Sequence, residues 1–195
     1  MNERETLKVY DDQADAYQKA IADWDDPAFA DFVAAIPKGG AVLDLGCGPG
    51  RAAARMADAG LHVTATDGSL EMIRLAEQHP GVAARQATFD EIEGQAIYDG
   101  IWASFSLLHA SRAKFPVHLA ALHRAAKPGA RLHLGMKLGS GEATDELGRF
   151  YTYYSRKELE RSLHEAGFTV ASHLTGKDKG LAGTLDEWIA ITAHA

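Results

Sequence analysis

The chain has one cysteine, Cys47, which excludes an internal disulfide framework and a structural zinc site built on cysteines. Long apolar runs are missing as well. The longest stretch without Asp, Glu, Lys or Arg is residues 100–111, whereas crossing a bilayer takes about 20 apolar residues. The first residues, MNERETLKVYDD, are charged and lack the apolar core of a secretory signal. These absences predict a cytoplasmic protein. A basic excess is also lacking, since 20 Lys+Arg face 27 Asp+Glu for a net charge of −7. Nucleic-acid binders draw much of their affinity from neutralising phosphates. The acidic balance therefore predicts neither a nucleic acid nor an anionic membrane surface as partner.

What is present is ordinary globular material. The 195 residues, 46% of them hydrophobic, make about one domain, enough to bury a core without disulfide or metal staples. Short runs rich in Val, Ile, Leu and aromatics at 41–45 (AVLDL), 62–66 (HVTAT), 82–87, 100–104 (GIWAS), 130–136, 169–174 and 188–194 read as strands. Helical patterns lie between them. One runs over 49–59 and stops at Gly60. Another starts at Ser69, carries Leu70, Met72 and Ile73, and ends before Pro80-Gly81. A third opens with the capping box Ser155-Arg-Lys-Glu158 and closes at Gly167. Ahead of the first strand, 11–23 and 27–36 read as two more helices, the second with Asp26 as N-cap and Pro27 at its first position. Alternation of strand and helix predicts an α/β, doubly wound, mostly parallel sheet with helices on both faces. Such sheets bind ligands beyond the carboxyl ends of their strands.

The first strand runs into Asp44-Leu-Gly46-Cys-Gly48-Pro-Gly50-Arg51. Three glycines at alternate positions allow a tight turn with a ligand lying on the backbone. A dinucleotide loop would place its third glycine where Arg51 stands, so the spacing is GxGxG rather than GxGxxG. Asp44 opposes a pyrophosphate and suits a ligand carrying an ammonium group. The second strand ends at Asp67, 21 positions after Gly46, where an acid accepts hydrogen bonds from both hydroxyls of a ribose. A ribose without a pyrophosphate, joined to an amino-acid-like end, describes S-adenosylmethionine better than a nicotinamide dinucleotide.

The strings VLDLGCGPGRAA and VTATDGSLEMIRLA resemble motifs one and two of the class I S-adenosylmethionine-dependent methyltransferases. The resemblance continues through YDGIWASFSLLHA, LHRAAKPGARLHLGMK and GRFYTYYSRKELERSLHEAGF, and covers residues 40–175, with DEWIAI as the last strand. Within the family, WASFSLLHA and the later Gly-Arg-Phe stretch are similar to small stand-alone bacterial enzymes of the tellurite-resistance type. The resemblance implies a seven-stranded sheet in the order 3-2-1-4-5-7-6 with the last strand antiparallel. It implies a single domain over 1–195, in which a helical cap (1–38) covers a Rossmann-like core (39–195). Carried onto matching positions, it puts Asp44, Gly46, Cys47 and Gly48 against the methionine part of the cofactor. Asp67 then holds the ribose, with Gly68 and Met72 beside the adenosine. Thr88 and Phe89 supply backbone contacts and apolar packing for the adenine, and Asp90 caps a short helix. Ser104 at the tip of the fourth strand faces the cofactor, and the first helix, with Tyr10 and Tyr17, lies over cofactor and acceptor.

Displacement of a sulfonium requires alignment and exclusion of water, and a base only where the accepting atom must lose a proton early. The family therefore supplies no fixed catalytic residue. After the fourth strand, His109 reads either as a base or as a histidine that holds a loop. Tyr10 and Tyr17 read either as aromatic faces for the sulfonium or as anchors for their helix. Lys137, Arg149, Tyr151 and Tyr153 surround the expected acceptor pocket, and the two cations read either as an anion site or as exposed charges on a glycine-rich loop. Phe150 to Tyr154 equally read as an aromatic patch closing the core. Asp11, Asp12, Asp15, Asp23, Asp25 and Asp26 read as a solvated face and helix caps. His118 and His123 share a helix without a carboxylate cluster, so they read as surface or helix-edge positions and no metal is expected. The pattern predicts a methyltransferase acting on a small-molecule acceptor. Its alternatives are a non-catalytic module binding S-adenosylmethionine or S-adenosylhomocysteine and, opposed by the loop spacing and Asp44, a nicotinamide oxidoreductase.

Overall fold

The computed structural model describes residues 3–22, 25–180 and 183–195, with no description of the Glu3 side chain. Seven strands form one sheet: β1 (Ala41–Leu45), β2 (His62–Asp67), β3 (Val82–Gln86), β4 (Tyr98–Ser104), β5 (Ala126–Lys137), β8 (Thr169–Lys179) and β9 (Leu185–His194). Strands β6 (Glu142–Thr144) and β7 (Phe150–Thr152) form a separate antiparallel hairpin. The sheet order is β3-β2-β1-β4-β5-β9-β8. Only β9 runs against its neighbours, β5 on one side and β8 on the other. Counting only strands of the large sheet, this is the expected 3-2-1-4-5-7-6 order with the last strand antiparallel.

Period-two alternation along the central strands splits the core into two layers. Leu43, Leu45, Ile101 and Ala103 enter a cluster with Phe115, Leu119 and Leu122 of α6 (Phe115–Ala125) and Leu159 and Leu163 of α7 (Arg156–Glu165). Val42, Val63, Ala65 and Trp102 point the other way. They meet Phe29 and Phe32 of α3 (Phe29–Ala35), Ala53 and Met56 of α4 (Arg51–Asp58), and Ile73 and Ala76 of α5 (Leu70–Ala76). Asp44 and Ser104 lie on this second face by the same alternation, so their carboxylate and hydroxyl emerge beside the glycine loop. Among the described residues, no helix is long and apolar enough to cross a membrane.

Several local expectations change. The segment expected as one helix over 11–23 is the end of α1 (Glu3–Asp12) and the whole of α2 (Ala14–Ala20), broken at Gln13, and Asp23 lies outside the described residues. The expected 27–36 helix begins two residues later, at Phe29. Ser69 caps α5 and Ser155 closes a capping box with Glu158, as their patterns require. After β3 the cap is Thr88, boxed with Glu91, and Asp90 instead pairs with Lys114 at 2.6 Å. His118 is not a surface residue, because α6 turns it inward to 1% exposure against Phe89. Strands β5, β8 and β9 run longer than their apolar runs, since their polar ends pair along the same ladders.

Candidate active site

The loop after β1 is folded onto β2. Gly46 and Cys47 both donate their amides to the Thr66 carbonyl, at 2.7 and 2.9 Å. Gly46 has φ +69, and a Cβ there would stand 2.3 Å from Cβ of Ser106 in the loop after β4. Only glycine satisfies both the left-handed backbone and this close approach. Asp67, at the end of β2, accepts the Gly48 amide on Oδ2 and the Ser69 amide on Oδ1, each at 2.9 Å. Its carboxylate thus ties the glycine loop to the start of α5. Burial raises its pKa, against the pull of those amides.

Asp44 is 2% exposed, and among the described residues its Oδ2 has no hydrogen-bond partner. Burial, with Asp67 beside it, pushes its carboxyl up to about 7, against the Ala53 amide that favours the charged form. A buried acceptor oxygen left unpaired carries a desolvation cost, so this position calls for a donor, best a cationic one. Cys47 is buried, and burial holds its thiol well above the usual range, so it stays a thiol. Two cavities of about 450 and 90 Å³ open at these strand ends and share the walls Tyr10, Gly46, Gly48, Ser104 and His109. Asp67, Gly68, Met72, Thr88 and Phe89 line the smaller, which α1 roofs through Thr6 and Leu7. Asp44, Trp102, Lys137, Arg149, Tyr151 and Trp188 are among the walls of the larger. Tyr17 belongs to both.

His109 sits at the junction, 8% exposed. Its Nδ1 lies 2.6 Å from the Phe150 carbonyl and its Nε2 lies 2.8 Å from the Tyr10 hydroxyl. A carbonyl only accepts, so Nδ1 carries the proton and Nε2 accepts from Tyr10. Burial pushes His109 down to about 4 despite the bond to Phe150. It is neutral near pH 7, and burial likewise keeps the Tyr10 phenol protonated. This is the geometry of a histidine that fixes a tyrosine, with its base lone pair already engaged. Tyr10 also makes an edge-to-face pair with Tyr17 at 5.4 Å.

Lys137 and Arg149, in the walls of the larger cavity, are not exposed charges. Arg149 is buried and donates to Asp145 Oδ2 from Nε at 2.9 Å and from Nη2 at 2.6 Å, with its Nη1 at 3.5 Å from the Tyr10 hydroxyl. Lys137 pairs with Asp186 at 2.6 Å and lies 4.2 Å from the centre of the Tyr151 ring. Phe150, Tyr151 and Tyr154 are buried, closing the core as their aromatic run allows. Phe105, between Ser104 and the Ser106 that crowds Gly46, holds φ +55 and donates its amide to Gly135. A non-glycine residue in this region is strained and needs surrounding contacts to hold it.

Sequence reasoning missed Asp26. It belongs neither to the solvated face nor to a simple cap, being 5% exposed with Oδ2 3.1 Å from Ser104 Oγ and 3.0 Å from His133 Nε2. Its only local signal, the Ala28 amide on Oδ1 at 2.9 Å, is the turn that a capping aspartate would also make. Asp11 is likewise not simply solvated, since its carboxylate accepts from the Ser69 hydroxyl at 2.6 Å and the Glu71 amide at 3.2 Å. Among the described residues no three His, Cys, Asp or Glu side chains are grouped to hold a metal ion.

Sheet order, the glycine loop and the acids at the tips of β1 and β2 together define a class I S-adenosylmethionine-dependent methyltransferase, and the orphaned Asp44 oxygen fits the ammonium end of that cofactor. The methyltransferase domain family matches residues 15–173, and the chain belongs to it. A relative in Aspergillus nomiae, O-methyltransferase rstn1, is 31% identical over 150 residues, which cover 68% of this chain and 66% of that protein. The chain thus matches just under two thirds of that relative's length. Among solved structures, the Burkholderia thailandensis 1,6-didemethyltoxoflavin-N1-methyltransferase, with 1,6-didemethyltoxoflavin and S-adenosylhomocysteine bound, superposes with a TM-score of 0.80 at 24% identity. The match covers 98% of this chain and 87% of that one. The [4+2]-cyclase SpnF superposes with a TM-score of 0.77 at 17% identity, over 100% of this chain and 97% of that one. The same fold therefore also carries a chemistry other than methyl transfer.

Proposed function

We propose that this methyltransferase acts on a small planar acceptor, bound in the larger cavity beneath the N-terminal helices. The observation that carries the reading is the size and aromatic lining of that cavity. At about 450 Å³, with Tyr10, Tyr17, Phe29, Trp102, Tyr151 and Trp188 among its walls, it fits small molecules and offers flat apolar faces for a ring. The net charge of −7 argues against a nucleic-acid substrate. The two relatives support a small acceptor, one being an O-methyltransferase by name and the other binding 1,6-didemethyltoxoflavin.

In this reading Asp44, Gly46, Cys47 and Gly48 take the methionine end of the cofactor, with the free Asp44 oxygen receiving its ammonium group. Asp67 keeps its two amides and uses remaining lone pairs for the ribose hydroxyls. Gly68, Met72, Thr88 and Phe89 surround the adenosine in the chamber roofed by α1, and Ser104 and Tyr17 stand where the chambers meet. The bound cofactor supplies an activated methyl group on a sulfonium. The protein aligns the acceptor against it and keeps water out. His109 orients Tyr10. Tyr10, Lys137, Arg149 and Tyr151 frame the acceptor, with both cations neutralised by neighbouring carboxylates. Residues 1–38 act as the cap and 39–195 as the core of one functional unit.

Incubation with methyl-labelled S-adenosylmethionine tests this directly. The mixture would contain a panel of hydroxy- and amino-substituted heteroaromatics, 1,6-didemethyltoxoflavin among them, and a metabolite extract. Label should enter a small organic product with stoichiometric S-adenosylhomocysteine. Binding of both cofactor forms without transfer to any compound would contradict it and favour a sensor.

A further inference from the structure

The floor of the larger cavity holds a polar group that the assignments above leave without a task. Asp26, from the turn before α3, lines the cavity although its side chain is only 3% exposed. Three elements hold it. The Ala28 amide binds Oδ1 at 2.9 Å, and the Ser104 hydroxyl, at the tip of β4, binds Oδ2 at 3.1 Å. Nε2 of His133, on β5, comes within 3.0 Å of Oδ2, off the line of an ideal hydrogen bond. His133 is 1% exposed and is held by stacking, its ring 3.7 Å from that of Trp102 and inclined by 11°. Burial pushes the Asp26 carboxyl upward, but His133, Ala28 and Ser104 outweigh it and keep the group ionised. A carboxylate has about four lone-pair sites, and among the described residues Oδ1 meets one donor, the Ala28 amide.

A buried carboxylate held ionised by three neighbours at the wall of a ligand cavity keeps lone pairs for a donor bound there. The chemistry of the reaction gives it a use. When a neutral O–H or N–H acceptor takes a methyl group, positive charge develops on the accepting atom. Its proton becomes strongly acidic only then, so a weak base such as an ionised carboxylate suffices to remove it. The reaction also consumes the positive charge of the donor while the proton consumes the negative charge of the carboxylate. Opposite charges therefore disappear together in a cavity where each is costly.

We propose that Asp26 is a catalytic residue that receives the proton of the acceptor, and that the acceptor is an uncharged ring carrying an O–H or N–H directed at it. This inference rests on the methyl-acceptor reading above. The lone pair of the accepting oxygen or nitrogen forms the new bond to carbon, and the sulfur retains the electron pair of the bond that breaks. The O–H or N–H electrons stay on the accepting atom, and the proton passes to Asp26. His133 is a positioning residue, holding the carboxylate toward the cavity from its stack on Trp102.

The test uses the full chain, the heteroaromatic panel named above and the compound from it that the wild type methylates fastest. Asp26→Asn keeps the size of the side chain. Its kcat should fall by about 10²–10⁴-fold, the range for losing a positioned base. The affinity of that compound for the S-adenosylhomocysteine complex, read by calorimetry, should weaken about tenfold, as for a lost hydrogen bond to a charged group. S-adenosylhomocysteine itself should bind as to the wild type, which also shows that the variant is folded. Should Asp26→Asn fail to fold, His133 decides. His133→Phe keeps the ring against Trp102 and should lower kcat, whereas His133→Gln, which retains an N–H donor, should restore most of it. Wild-type kcat and acceptor affinity in Asp26→Asn, or equal activity in the two His133 variants, would overturn the inference alone. A wild type that binds S-adenosylhomocysteine yet methylates nothing in the panel would overturn the methyl-acceptor reading and this inference with it.

Discussion

Tyr10 and His109, 99 positions apart in the chain, share a hydrogen bond of 2.8 Å that pins the first helix to the loop after β4. The bond has a defined direction, because the Phe150 carbonyl at 2.6 Å fixes the histidine proton on Nδ1. Thr6 adds a second tie, its hydroxyl accepting the Phe150 amide at 2.9 Å. The roof of the smaller cavity is thus fastened at the place where the two cavities meet. Removing the Tyr10 hydroxyl strands the lone pair of His109, so Tyr10→Phe should cost about 1–3 kcal/mol of stability. Denaturant unfolding checks this, and turnover should fall with it because the cover loosens.

The neutral state of His109 predicts a pH signature. Its folded-state pKa is about 4 against an ordinary 6.5, so between those values the unfolded chain binds more protons than the folded one. Stability from this group is therefore fully present above pH 6.5 and is lost as pH falls toward 4. His109→Gln should flatten that part of the profile. Melting temperatures of both proteins across pH 7.5 to 5 provide the check.

Asp44 predicts the opposite slope. Its carboxyl sits at about 7 when folded against 3.8 ordinarily, so the folded state holds the extra proton and stability declines as pH rises through that window. Asp44→Asn should stabilise the ligand-free protein at pH 8 while weakening its affinity for S-adenosylmethionine. In the wild type, cofactor affinity should rise between pH 6 and 8 as the carboxylate forms. Calorimetric titrations at the two pH values, with melting curves, separate the two effects.

Asp67 anchors both the glycine loop and α5. Asp67→Ala should weaken S-adenosylhomocysteine binding at least tenfold, about 1.4 kcal/mol, through loss of the ribose acceptor and of the loop's support. Unchanged affinity would refute the ribose assignment.

Two glycines with similar backbone angles should behave differently. Gly46 has φ +69 and a Cβ would meet Ser106 at 2.3 Å, whereas Gly60 has φ +84 and open space within 4 Å. Gly60→Ala should cost only the strain of a left-handed alanine, about 1 kcal/mol. Gly46→Ala should cost several-fold more and abolish cofactor binding. Urea midpoints of the two variants test the ordering.

The parts of this molecule legible in its sequence are those encoded locally. AVLDL, HVTAT and GIWAS are apolar enough to be strands wherever they fall, and the glycine spacing with Asp44 and Asp67 placed the loop and the two acids at strand tips. The β6–β7 hairpin had no such signal, since Glu142–Thr144 is fully exposed and Phe150–Thr152 fully buried, so neither strand alternates. Asp26 read as a helix cap, because its burial depends on Ser104 and on His133 in a distant strand. Arg149 looked exposed because its loop is rich in glycine and acids, yet one of those acids, Asp145, is what allows it to be buried. Local pattern found the glycine loop and the two strand-tip acids, and long-range pairing built the larger cavity.

The most direct test of the central claim is thermal unfolding with S-adenosylmethionine, S-adenosylhomocysteine and, as a control, NADH. At about 100 times its dissociation constant a ligand adds about 2.7 kcal/mol, or about 5–10 °C for a chain of this size. That shift is expected with both sulfur compounds in the wild type, with a much smaller one in Asp67→Ala and none with NADH. No shift with either sulfur compound, or a shift with NADH, would contradict the claim.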